Sequence, residues 1–128
     1  MVATPFVPVS TTYCVLAADI ASFRGVPIHH VCSTFALARE FEYAGRLVYE
    51  SGRQVEEQAI GVTVSVEHLA PAFVGSKLQI EATPTSFSKG LLACKVSAYC
   101  AGKLIATGQT TQKVLPTSII NQILTPPE

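Results

Sequence analysis

Two hydrophobic periods divide the chain. Between residues 33 and 53, Leu37, Phe41, Ala44 and Val48 recur at spacings of three and four, one apolar face of a helix. Ser33 or Thr34 supplies an N-cap and Gly52 a stop. Gly45 lies inside this helix, where glycine costs about 1 kcal/mol relative to alanine, and points to a close backbone approach. From Ile60 the period becomes two: Val62, Val64, Val66 and His68 share one strand face, and Gly61, Thr63, Ser65 and Glu67 the other. A break spans residues 71–75. Leu78, Ile80 and Ala82 then alternate with Lys77, Gln79 and Glu81. Turns at residues 88–90 and 101–103 separate two further strands, the last ending at Pro116. Residues 117–124 read as a short terminal helix. Upstream, residues 1–12 form an extended arm and residues 13–18 a short strand. Residues 19–32, interrupted by Gly25 and Pro27, read as an irregular loop with one helical turn. One long helix followed by an antiparallel meander packs simply if the sheet wraps the helix, an α+β arrangement.

Composition narrows the function classes. At 128 residues the chain suggests one domain over 1–128, with an arm at 1–12 and a tail at 117–128. Apolar residues make up 48% and charged ones 14%, enough for a core and a subunit interface. Nine basic residues balance nine acidic ones and no basic run occurs, which argues against nucleic acid and anionic membranes as partners. The four cysteines form no C-x-x-C pair and no metal spacing with histidine, and read as free thiols in a reducing compartment. No apolar stretch is long enough to span a membrane, and the N-terminus lacks the basic start of a signal peptide. The expectation is a cytoplasmic protein with no metal and no bound cofactor.

Three side chains are candidates for chemistry. His68 ends its strand in phase with the apolar face, which suits either a core histidine bonded to a carbonyl or a proton-transfer group at a pocket rim. Glu42 lies on the flank of the helix. Arg46 follows at i+4, so a surface ion pair is the structural alternative to a catalytic carboxylate. Thr34 is an N-cap candidate, and the N–H groups beside it can also stabilise a polarised carbonyl.

Taken together, Thr34, Glu42 eight residues on, and Gly61 followed by His68 seven residues on resemble the fluoroacetyl-CoA-thioesterase-like branch of the hot-dog thioesterases. "HLAPAFVG" resembles the turn that follows the family's histidine, and "IATGQTTQKVL" its last strand. The resemblance spans residues 13–116. It implies a hot-dog fold, with a five-stranded antiparallel sheet around one long helix. It implies acyl-CoA thioester hydrolysis, with CoA entering only as part of the substrate. Glu42 would then attack the carbonyl or activate water, His68 would shuttle protons or orient, and Thr34 would hydrogen-bond the glutamate or the substrate. Gly61, Phe35 and Phe41 are the substrate contacts on this reading. The resemblance further implies a homodimer with its sites at the interface, with a tetramer as a further option. Phe35 stands where fluoroacetyl-specific members have glycine, and "QTTQK" replaces a more basic, histidine-containing stretch, so the acyl group stays open.

The competing reading is a non-catalytic module of the same fold that binds an acyl-CoA or another small apolar ligand. A hot-dog dehydratase or hydratase is weaker, because "CSTFALARE" lacks the aspartate and histidine expected at the helix start. A nucleotide or metal enzyme has no motif in support.

Overall fold

The computed structural model describes residues 4–127; the first three residues of the expected arm and Glu128 of the tail lie outside them. Seven strands and two α-helices follow in the order β1 (Val9–Cys14), β2 (Ile20–Phe23), β3 (Val26–Cys32), α1 (Thr34–Ser51), β4 (Glu57–His68), β5 (Lys77–Ser88), β6 (Leu91–Cys100), β7 (Lys103–Pro116) and α2 (Thr117–Leu124). Five strands make one antiparallel sheet in the order β1-β5-β6-β7-β4, so β1 and β4 are its edges. The helix α1 packs against all five. This is the hot-dog arrangement expected.

The α1 boundaries follow from local chemistry. Ser33 Oγ accepts from the Ala36 N–H, and the N–H of Gly52 caps the other end on the Tyr49 carbonyl. Leu37, Phe41, Ala44 and Val48 are all buried against the sheet. Each large apolar side chain so placed contributes roughly 1.5–3 kcal/mol. Gly45 brings the helix backbone onto β7: a Cβ there would lie 2.5 Å from Thr110 Oγ1. The Gly45 carbonyl also accepts from Gln112 Nε2 at 2.8 Å.

Three expectations need correction. Residues 19–32 are not an irregular loop. Beyond a 3-10 turn at Ala17–Asp19 they form the β2–β3 hairpin, reversed at Arg24 and Gly25 with φ of 52° and 79°. Such paired left-handed residues suit a tight hairpin turn, and the same geometry recurs at Lys89-Gly90 and Ala101-Gly102. Second, the first strand is Val9–Cys14 rather than 13–18, so part of the expected arm pairs with β5. Third, β4 does not keep one phase. Its register with β7 shifts between Gly61 and Thr63, a bulge that inserts one residue and flips the alternation. Before it Ala59 is buried; after it Val64, Val66 and His68 turn inward, and Val62 is 58% exposed.

Candidate active site

The helix α1 and the edge strand β4 run side by side in opposite directions. The start of α1 therefore lies near the end of β4, and the middle of α1 near the beginning of β4. At the first place Thr34 Oγ1 and His68 Nδ1 are hydrogen-bonded at 3.0 Å. The His68 Nε2 is buried and has no partner among the described residues. At the second place the Glu42 carboxylate faces Gly61: a Cβ built on the glycine would lie 3.6 Å from Glu42 Oε2. The bulge turns this glycine toward the helix.

The Glu42–Arg46 ion pair, the structural alternative to a catalytic Glu42, does not form. Arg46 Nε binds Glu50 at 3.0 Å, while its other nitrogens donate to Gln58 Oε1 and the Ala59 carbonyl. Glu42 makes no ion pair with any described residue. It lines a cavity of about 290 Å³ with Tyr43, Arg46, Gly61, Thr63 and Gln112. An acceptor-only carboxylate with free oxygens, opposite a residue with no side chain, can approach a carbonyl carbon or hold a water.

The two places are separate within one chain. Thr34 and Glu42 are eight helical residues apart, about 12 Å along the axis. Gly61 and His68 are seven strand residues apart, about 23 Å when extended. The cavity around Glu42 includes neither Thr34 nor His68. Phe35 is 80% exposed at the start of α1, beside Thr34. Phe41 is fully buried, and one edge of its ring would lie 3.2 Å from a Cβ on Gly108. Thus Phe41 stands in the core beneath the sheet and does not line the cavity around Glu42.

One cluster escaped the sequence reading. Asp19, only 4% exposed, accepts from the Tyr13 hydroxyl, the Leu16 N–H and Arg39 Nη2. Arg39 also binds Glu40 at 2.8 Å and stacks over the Tyr13 ring. Burial opposes the charge on Asp19, but the Tyr13 and Leu16 hydrogen bonds and the Arg39 guanidinium outweigh it and hold the carboxyl below its usual range. Burial, with Asp19 beside it, pushes the Tyr13 phenol up to about 12. The signal in the sequence was a lone aspartate in an otherwise apolar stretch. Arg39 lines both the Glu42 cavity and a second cavity under the β2–β3 hairpin.

Comparisons with known proteins agree with this architecture. Residues 15–118 match the family model described as FlK, fluoroacetyl-CoA-specific thioesterase. No curated protein matches in sequence. Among solved structures, a hypothetical protein of Thermus thermophilus, a thioesterase superfamily member, superposes with a TM-score of 0.88 at 26% identity, covering 92% of this chain and 88% of that one. A hot-dog-like protein from Thermanaerovibrio acidaminovorans gives 0.82 at 16% identity, over 93% and 88%. The fluoroacetyl-CoA thioesterase FlK gives 0.80 at 18% identity, over 94% and 96%. Among the described residues no helix is long and apolar enough to cross a membrane.

Proposed function

Given that the chain belongs to the fluoroacetyl-CoA-specific thioesterase family, we propose that it hydrolyses an acyl-CoA thioester at a site built from Glu42, Thr34 and His68. The observation that carries this reading is the Glu42 carboxylate, without an ion pair among the described residues and facing Gly61. Because Thr34 and His68 pair at 3.0 Å some distance from it, the complete site needs two chains. The strand β4 is an unpaired edge and requires a cover. Pairing it antiparallel with a second copy, centred near Val64 and Ser65, sets the partner's His68 across from Gly61. Glu42 and Gly61 of one chain then face the partner's Thr34 and the partner's His68 over one thioester. A homodimer has two such sites by symmetry.

The division of labour follows from the donors present. The imidazole holds the threonine hydroxyl, and the hydroxyl, with the N–H groups at the helix start, binds the thioester oxygen as it becomes negative. Glu42 either attacks directly, giving an acyl-glutamyl anhydride that water then hydrolyses to free acid and the regenerated carboxylate, or takes a proton from a water whose oxygen attacks the carbonyl. The tetrahedral centre collapses by breaking the carbon–sulfur bond. The thiol of CoA leaves with a proton and one water is consumed overall.

Mixing two inactive variants tests the shared site. Glu42→Gln and His68→Asn homodimers should each be nearly inactive. Unfolded together and refolded, half the dimers are mixed and each holds one intact site, so about a quarter of the wild-type sites return. No recovery from correctly folded mixed dimers would refute the two-chain site. If the protein instead proves monomeric, Glu42 and His68 never meet, and the same fold is left as a ligand-binding module.

A further inference from the structure

A second cavity, of about 560 Å³, lies between the β2–β3 hairpin and the first turns of α1. Its wall is mostly apolar, from Ile20, Ala21, Phe23, Phe35 and Ala36. Thr34 stands in this wall too, so the hydroxyl bonded to His68 borders the cavity directly. Its polar lining includes Arg24 and His29, and Asp19 with Arg39, which are committed to each other at 3.2 Å.

We propose that this cavity receives the acyl chain, and that the substrates are medium-chain or aromatic acyl thioesters rather than two-carbon ones. The inference rests on the thioesterase reading and adds the substrate class to it. A carbonyl held at Thr34 lies at the border of this cavity, and an apolar acyl chain gains by entering it. The volume lies within the roughly 300–1,000 Å³ range that encloses sizeable ligands. A two-carbon group would leave most of it unfilled. The exposed ring of Phe35 at the mouth adds apolar surface beside the thioester, and the hairpin supplies the far wall.

Hydrolysis of acetyl-, hexanoyl-, octanoyl- and phenylacetyl-CoA measures the preference. Calorimetry with the non-hydrolysable S-ethyl- and S-octyl-CoA thioethers measures it without turnover. The expected result is a kcat/KM for octanoyl- or phenylacetyl-CoA at least about tenfold above acetyl-CoA, the lower end for a methylene accommodated in an apolar pocket. Ala21→Phe and Ser22→Phe, each verified by an unchanged melting temperature and oligomeric state, should both shrink that ratio about tenfold. A wild-type preference for acetyl-CoA, or a ratio unmoved in both folded variants, would overturn the inference and leave the thioesterase reading intact. No turnover of any thioester, with tighter S-octyl- than S-ethyl-CoA binding that both variants abolish, would refute hydrolysis and support the cavity. Equal binding of the two thioethers would overturn the cavity assignment whatever the turnover.

Discussion

At position 42 a carboxylate stands without a cation among the described residues, although an arginine lies one turn away. Arg46 is drawn off by Glu50, Gln58 and the Ala59 carbonyl, a set that β4 completes and that local spacing along α1 does not reveal. Glu40 is committed to Arg39. Glu42→Gln should therefore lower turnover by at least about a hundredfold, as for a lost general base. Glu40→Gln keeps an acceptor for Arg39 and should stay within a few-fold; equal mild losses at both would remove Glu42 from the mechanism. A second residue-scale prediction concerns pH. The Asp19 carboxyl is held below its reference value of 3.8, so below that value the unfolded chain takes up more protons than the folded one. Stability gained from Asp19 is present at neutral pH and is lost as pH falls through the folded value. Acid denaturation followed by circular dichroism should show a limb below about pH 4 that Asp19→Asn flattens; an unchanged limb would mean that the cluster does not stabilise the fold. The thiols divide similarly. Burial pushes Cys32 and Cys94 up to about 11, while Cys14 is exposed. At pH 8 a thiol reagent should modify Cys14 first and spare Cys32 and Cys94, as read by peptide mass spectrometry.

Helix α1 was legible because its face is set by periodicity and its ends by caps, both local. The strands β5, β6 and β7 were legible for the same reason: alternation and X-Gly turns lie within a few residues. The β2–β3 hairpin was not, since Arg24-Gly25 is a weak turn signal and Pro27 argues against a strand; β3 tolerates it in a two-stranded sheet. The bulge in β4 left no mark either, because Ile60, Val62 and Val64 suit one unbroken face as well as two. Of the candidate site, the residues were readable and their distribution was not. Distances between α1 and β4 depend on the pairing of strands far apart in sequence. Gly45 tests the packing at this scale. Gly45→Val should drive a side chain into Thr110, costing about 1–3 kcal/mol, and calorimetric melting at an unchanged temperature would contradict the close approach of α1 to β7.

Whole-molecule behaviour turns on the free edge of β4. The sheet has two edges, and β1 and β4 hold them. Beside β4 the exposed apolar side chains of Val62, Leu69 and Phe73 add to the surface that a second copy would cover. Light scattering at micromolar concentration should return about twice the 13.6 kDa chain mass; a 13.6 kDa species would leave the site in halves. If each active centre is split across that edge, catalysis inherits the law of mass action. Well above the dissociation constant, rate should scale with the first power of enzyme concentration. Far below it, association becomes limiting and the rate should scale with the square. An enzyme of this kind reports its own abundance: halving the amount of chain in dilute conditions removes three quarters of the activity, an effect with no counterpart in a site that one chain completes.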